Sequence, residues 1–161
     1  MPRRPLIVDP SLYDISKPIA NIEAIRRYNP QRFEMEQLTG VLFEDLSIKA
    51  MVGYLETSDR SFWVRGHMPD IPLMPGVVMC EAAAQLTAYA ALRFELVSGT
   101  LLGLAGLDSV RFRGSVRPGD TLVIQASLIC GNTKLVVGEF IELVGNEVIC
   151  EGIIKGIPIP V

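Results

Sequence analysis

Histidine is almost absent from this chain of 161 residues, in which His67 is the only one. A metal site is therefore not expected, because one imidazole without grouped carboxylates or thiols does not make a ligand set. A strong charge of either sign is missing as well, since the net charge is −3 and the isoelectric point is about 5.2. A general nucleic-acid binder needs a basic face, so that class is not expected either.

Cysteines are few and form no CxxC pair: Cys80, Cys130 and Cys150 each lie in an apolar run. Buried, reduced thiols fit this spacing and are typical of a reducing cytoplasm. Also missing are a secretory signal and any run of about 18 uninterrupted apolar residues, the length a membrane span needs. The sequence thus predicts a soluble cytoplasmic protein without a membrane span.

The chain is expected to form one domain over 21–161, preceded by an arm over 1–20. Four prolines exclude a long helix from residues 1–20 and favour an extended conformation there. A short helix is predicted over 21–28, with Asn21 as its cap.

One strong helix is predicted, from Val77 to Phe94. It is rich in alanine, has no internal glycine or proline, and is apolar on every face, so we expect it to be buried on every face. The remaining chain shows strand patterns bounded by turn residues. These patterns cover residues 41–56, 61–65, about 104–113, 120–130, 134–144 and 147–157. The simplest architecture is α+β, with an antiparallel sheet wrapped around the one long central helix.

Glu81 is the only charged residue between Ile71 and Leu92. A buried carboxylate without partners costs several kcal/mol, so this one must be paired, protonated or exposed to a cavity. A catalytic acid fits this position. A purely structural role, as a cap or at a subunit boundary, fits it about equally well.

His67 lies fourteen residues before Glu81, in a loop stiffened by three prolines. A lone histidine is more often structural, but a rigid loop holds an imidazole in the fixed position that a general base requires. Gly76 follows Pro75 where the helix begins, and backbone N–H groups there have no helical acceptor. Such a group can polarise a substrate carbonyl, although an ordinary Pro-Gly helix start explains the same residues.

A family resemblance connects these three positions. Residues 66–77, GHMPDIPLMPGV, resemble the GHFPGxPxxPGV signature of the FabZ-type β-hydroxyacyl-[acyl-carrier-protein] dehydratases, and 81–85, EAAAQ, resemble that family's E-A-x-A-Q helix. Further similar segments occur at 29–33, 105–113 and 116–120, so the resemblance covers about 21–155. The departures include Met68 for Phe, Asp70 for Gly and Gln31 for His.

The resemblance implies a hot-dog fold and dehydration of (3R)-3-hydroxyacyl-[acyl-carrier-protein] to the trans-2-enoyl product in fatty acid biosynthesis, without a cofactor. In that family the residue matching His67 takes the α-proton and the residue matching Glu81 protonates the β-hydroxyl. The amide matching Gly76 binds the thioester carbonyl. The implied assembly is a homodimer with shared active sites, and the family often assembles further into a trimer of dimers. The implied partner is an acyl carrier protein with a phosphopantetheine-linked acyl chain.

Two other functions stay open at this point. A hot-dog acyl thioesterase is one, in which Glu81 would act at the thioester carbonyl. The other is a non-catalytic paralogue that binds an acyl carrier. Arg111 and Arg113 alternate with Phe112 and are expected to share a face, where they would either contact an acidic carrier or simply be solvated. Candidates for an acyl tunnel, or equally for the core, are Phe62, Trp63, Met74, Met79 and Tyr89.

Overall fold

A seven-stranded antiparallel sheet curves around one long helix in the computed structural model, which describes residues 4–98 and 100–160. The strands are β1 (Ala20–Asn21), β2 (Gly40–Asp45), β3 (Ala50–Glu56), β4 (Thr100–Phe112), β5 (Thr121–Gly131), β6 (Val136–Val144) and β7 (Glu147–Pro160). The helices are α1 (Ile22–Ile25) and α2 (Gly76–Arg93), with 3₁₀ turns at Pro10–Leu12 and Phe33–Met35. The strand order is β1-β2-β3-β5-β6-β7-β4. The predicted α+β architecture is confirmed.

Helix α2 packs on the concave face of the sheet, mainly against β5, β3, β7 and β6. Its small side chains, among them the fully buried Ala82 and Ala83, allow the sheet to approach closely. One stripe of α2 is not covered by this chain: Val77 is 75% exposed, and Glu81, Ala84 and Ala88 are half-buried. The expectation of burial on every face is therefore wrong for a single protomer.

The strand predicted over 41–56 is two strands, β2 and β3, joined by a tight turn. The Asp45 carboxylate accepts hydrogen bonds from the Ser47 N–H at 2.8 Å and the Ser47 hydroxyl at 2.6 Å. Lys49 then adopts the left-handed conformation, with φ of 51°. Side-chain capping of this kind reverses the chain without glycine or proline, so the apolar pattern concealed the turn.

The strand predicted over 61–65 is wrong, because this segment is a series of turns. Its backbone bonds close locally: the Val64 N–H donates to the Ser61 carbonyl at 3.0 Å, and the His67 N–H to the Trp63 carbonyl at 2.8 Å. Trp63 is 4% exposed because its ring enters the core. The aromatic and β-branched composition that favoured a strand thus serves the packing of one large side chain.

The N-terminal arm lies on the outer face of the sheet. Val8 is 3% exposed and joins a second apolar cluster with residues of β2, β3, β5, β6 and β7. The buried Gln125 of β5 accepts hydrogen bonds from the N–H groups of Ile7 and Val8, at 2.9 and 3.1 Å, and donates to the Val8 carbonyl at 2.8 Å. The arm therefore covers apolar surface that the curved sheet leaves on its convex side.

Helix α1 begins as predicted, because the Asn21 side chain accepts a hydrogen bond from the Ala24 N–H at 3.1 Å. It ends at Ile25 and continues to Tyr28 only as turns, so it is shorter than expected.

No helix in the described ranges is long and apolar enough to cross a membrane.

Candidate active site

His67 is fixed by three hydrogen bonds in the loop that precedes α2. Its N–H donates to the Trp63 carbonyl, its carbonyl accepts from the Leu73 N–H at 2.8 Å, and its Nδ1 lies 2.7 Å from the Leu73 carbonyl oxygen. The Met74 N–H ties the same loop to the buried Val116, whose carbonyl accepts at 2.9 Å. The imidazole is solvent-exposed in the protomer, so a second group is able to reach it.

The Leu73 carbonyl determines the tautomer of the His67 ring. A carbonyl oxygen only accepts, so Nδ1 must carry the hydrogen of this bond. In the neutral ring, Nε2 is then unprotonated and is the basic nitrogen. A general base needs such a fixed, oriented nitrogen.

Glu81 projects from the second turn of α2 and is held by Gln85, one helical turn later. The Gln85 side chain donates from Nε2 to Glu81 Oε1 and to the Met35 carbonyl, both at 2.7 Å. Its Oε1 accepts from the Gln37 N–H at 2.9 Å. Gln85 is 3% exposed, so the segment around residues 35–37 orients the carboxylate through a buried amide.

Glu81 and Gln85 line a cavity of about 100 Å³ between α2 and the strands β4, β6 and β7. The other lining residues are Gln31, Ala84, Thr87, Ala88, Leu102, Gly103, Leu104, Val136, Ile154 and Gly156. Most of the lining is apolar or small, which suits a hydrocarbon chain. His67 does not line this cavity, so one protomer does not bring the two predicted catalytic residues together there.

Gly76 is the first residue of α2, so no helical carbonyl is available to its N–H group. The Phe112 ring packs directly against it: a Cβ atom at this position would lie 2.8 Å from Cε1 and Cζ of that ring. Glycine is thus required for the contact. Gly76 itself is half-buried and the next residue, Val77, is exposed, so the start of the helix is partly accessible.

An exposed apolar surface lies along α2 and the edge strand β4. Val77 is 75% exposed, Leu104 53%, Phe112 52% and Leu107 39%. Strand β4 ends the sheet, with β7 as its neighbour on one side. A long apolar edge strand beside an uncovered helix stripe is typical of an interaction surface.

Among the described residues, no group of three or more His, Cys, Asp or Glu side chains is placed to hold a metal ion.

Cys80 and Cys150 are buried and reduced, as predicted, and Cys130 is half-buried. The fully buried Glu142 lies beside Cys80 and Cys150, and burial raises the pKa of its carboxyl well above the usual range. The contact with Cys80, together with burial, raises the pKa of Cys150.

Most of the other predicted site residues lie in the core or form ion pairs. Trp63, Met74, Met79 and Tyr89 belong to the buried core and do not line the cavity at Glu81, and Phe62 is 50% exposed elsewhere. Arg113 forms an ion pair with Glu151 at 2.6 Å. Sequence reasoning missed Gln85 and Gln31 as neighbours of Glu81. For Gln85, the signal in the sequence was a single amide side chain after a run of alanines.

A family model described as a FabA-like domain matches residues 29–153. Proteins named 3-hydroxyacyl-[acyl-carrier-protein] dehydratase FabZ, for example from Bacillus thuringiensis (strain Al Hakam) and Bacillus cereus (strain B4264), are 37% identical over 131 residues. The alignment covers 81% of this chain and 90% of each relative.

Among solved structures, the dehydratase heterocomplex ApeI:P from Xenorhabdus doucetiae matches with a TM-score of 0.68 and 20% identity, over 84% of this chain and 90% of the other. Cj0977, a virulence protein from Campylobacter jejuni, matches with a TM-score of 0.64 and 17% identity, over 88% and 94%. These likenesses show the hot-dog fold. With the family model and the curated relatives, they lead to one conclusion: the chain belongs to the FabA-like family.

Proposed function

We propose that this chain dehydrates (3R)-3-hydroxyacyl thioesters on an acyl carrier protein to the trans-2-enoyl products, in fatty acid biosynthesis. The names of its relatives at 37% identity support this reaction. The structural observation that carries the proposal is Glu81: the only charged side chain of its helix before Arg93 faces an apolar cavity, and Gln85 orients its carboxylate.

In the proposed mechanism, His67 Nε2 removes a proton from C2 of the acyl chain. The Gly76 N–H donates to the thioester carbonyl and stabilises the enolate-like charge that develops there. Glu81 then protonates the departing C3 hydroxyl. Since its Oε1 already accepts from Gln85, the acidic proton belongs on Oε2. Elimination of water changes no oxidation state overall, so acid–base groups suffice and no cofactor is proposed.

We further propose a homodimer in which the partner's His67 completes each site. Three observations support it. His67 is exposed, and it does not line the Glu81 cavity. The exposed face formed by α2 and β4 carries apolar side chains. Pairing two such faces would bury Val77 and Phe112 and close the cavity from water. A trimer of dimers and a cytoplasmic location stay predictions.

The acyl chain is proposed to extend along α2 past Ala84 and Ala88, because their small side chains leave the cavity open. A phosphopantetheine arm would then enter from the side of Gly76. The test is hydration of trans-2-enoyl thioesters of increasing chain length, on acyl carrier protein and on coenzyme A, followed by loss of enoyl absorbance. We expect hydration, with a preference for one range of chain lengths.

Two other results would contradict the proposal. Release of free thiol without hydration would identify a thioesterase. Saturable binding of acyl carrier protein without turnover at any chain length would identify a non-catalytic binding protein.

A further inference from the structure

Gly156 is a buried glycine inside strand β7, and no neighbouring atom of the protein requires it to be glycine. A Cβ atom at this position would lie 3.6 Å from the Gly103 carbonyl oxygen and 4.0 Å from Val136 Cβ, which are ordinary contacts. Its φ lies outside the left-handed region. Glycine inside a strand costs conformational entropy and often marks a place where a ligand approaches closely.

The other glycines of the described strands have local reasons. At most of them a Cβ atom would lie 3.0 Å or less from a neighbouring atom, namely at Gly40, Gly53, Gly103, Gly131, Gly138 and Gly152. Gly106 lies at a register shift in β4. Gly156 is therefore the exception in the part of the sheet that the structure describes.

Gly156 lies on the sheet side of the Glu81 cavity. It pairs with Val136 on β6 and with Leu104 on β4, so these three positions form one row across the sheet and face the same side. All three line the cavity, and the two outer positions carry branched apolar side chains. The row thus has a gap at its centre, and a side chain at position 156 would project into the cavity.

Helix α2 presents small side chains to the same cavity. Ala84 and Ala88 both line it and are one helical turn apart, so they lie on one face of α2. Larger side chains of the helix, such as Leu86 and Tyr89, pack in the core instead. Both walls of the cavity therefore lack bulk, which leaves room for a ligand between α2 and β7.

We propose that the acyl chain of the substrate passes over Gly156, which makes this residue a determinant of chain length and gives the protein a preference for long chains. This inference rests on the proposed dehydration. A chain that reaches Gly156 buries more methylene groups than a short one, and each buried methylene contributes about fourfold in affinity.

The spacing along α2 gives the length that is needed. Ala88 is seven residues beyond Glu81, which is about 10 Å along the helix. An extended hydrocarbon chain spans this distance with about eight carbon–carbon bonds, at about 1.3 Å each. The cavity is open on one side, since Leu104 is 53% exposed and Ala88 is half-buried, so its length rather than its enclosed volume limits the chain. Because Glu81 acts at C3, a dodecenoyl chain reaches Gly156 and a crotonyl chain does not.

The test measures kcat/KM for hydration of crotonyl, trans-2-octenoyl and trans-2-dodecenoyl thioesters, on the carrier that the wild type accepts better. The readout is the ratio of the dodecenoyl value to the crotonyl value, so a general loss of activity cancels. The wild type should prefer the dodecenoyl substrate. Gly156→Val places a branched side chain in the path, and we expect the ratio to fall about tenfold or more. Gly156→Ala adds one methyl group with room for it and should lower the ratio about fourfold, so it decides if Gly156→Val does not fold.

Gly106→Ala is the matched control, because it adds the same methyl group to the neighbouring strand at a position that does not line the cavity. Its ratio should equal that of the wild type. The proposal is overturned if the Gly156 variants keep the wild-type ratio, if Gly106→Ala lowers the ratio as much as Gly156→Ala, or if the wild type prefers the crotonyl substrate. A wild type that is inactive at every chain length refutes the dehydration itself, which is a distinct result.

Discussion

His67 Nδ1 lies 2.7 Å from the carbonyl oxygen of Leu73, six residues further along the same loop. Because this bond requires hydrogen on Nδ1, the loop itself directs the basic Nε2 outward. The ring is bound to backbone on one side and exposed on the other. The ring is therefore accessible in the protomer, and it does not line this protomer's own Glu81 cavity.

Replacing either member of the proposed catalytic pair should abolish turnover without unfolding the protein. We expect His67→Ala and Glu81→Gln each to lower the rate of enoyl-thioester hydration by about 10²-fold or more, since each removes one proton-transfer step. Thermal unfolding monitored by circular dichroism should change little, because His67 is exposed and Gln is close in shape to Glu. A near-normal rate in either variant would exclude that residue from catalysis.

Mixing the two inactive variants tests whether each site is shared between subunits. A heterodimer of His67→Ala and Glu81→Gln protomers has one wild-type site if the two residues come from different subunits, and none if they come from the same one. After co-refolding of equal amounts, random pairing should restore about a quarter of the wild-type activity. No recovery, despite heterodimers seen by mass spectrometry, would place both residues in one subunit.

Gln85 should contribute to both catalysis and stability. Gln85→Leu removes the donor to Glu81 and leaves the Gln37 N–H and Met35 carbonyl without partners, so we expect about 1–3 kcal/mol lower free energy of unfolding and a lower kcat. Gln85→Glu is the matched control, because it keeps an acceptor for the Gln37 N–H but cannot donate two hydrogens. If Gln85→Leu unfolds more easily in urea but keeps the wild-type kcat, Gln85 does not position Glu81.

Glu142 should make the protein less stable as pH rises. Burial raises the pKa of this carboxyl in the folded protein above its ordinary value near 4.5, so the folded state favours the protonated form. The stability it contributes is fully present below the unfolded pKa and is lost as pH rises through the folded pKa. We expect Glu142→Gln to match the wild type at acidic pH, near the unfolded pKa, and to be more stable at pH 8 by about 1–3 kcal/mol.

Urea unfolding at both pH values measures this difference. The surface variant Glu56→Gln, at the exposed end of β3, is the control for general pH effects. An identical pH slope in the wild type and Glu142→Gln would mean that Glu142 finds a compensating partner after all.

Gln125 should hold the N-terminal arm on the sheet. Gln125→Leu removes the bonds to Ile7 and Val8, so the amide of Val8 should exchange with solvent much faster, and unfolding should be easier by about 1–3 kcal/mol. Hydrogen–deuterium exchange of the peptide that contains residues 4–13 measures the first effect. Gln125→Glu retains the acceptor for both N–H groups and should keep partial protection. Unchanged protection in Gln125→Leu would show that the apolar contacts of Val8 hold the arm alone.

Much of the fold was predictable because its signals are local. The helix predicted from Val77 to Phe94 is confirmed within one residue at each end, and four later strands fall close to their predicted positions. The errors also have local causes. The Asp45 cap hides a turn inside an apolar run, and the burial of Trp63 gives a turn segment the composition of a strand.

The candidate site was predictable in its residues but not in its arrangement. His67, Gly76 and Glu81 were identified from spacing and the family resemblance, and their roles stay predictions. No site role was predicted for Gln85 or Gln31, because their place beside Glu81 depends on hydrogen bonds and a cavity that join segments about 50 residues apart in the chain.

The sequence by itself determined most of the secondary structure, the α+β class and the two chemically unusual side chains, because periodicity, helix composition and spacing along the chain are local properties. Only the tertiary structure decided which face of α2 stays uncovered, that Gln125 binds the arm 117 residues away, and that His67 does not line the cavity of its own Glu81. Those outcomes depend on how a curved sheet closes around one helix. Packing and hydrogen bonds between segments that are distant in the sequence decide how the sheet closes, so a local sequence pattern does not predict it.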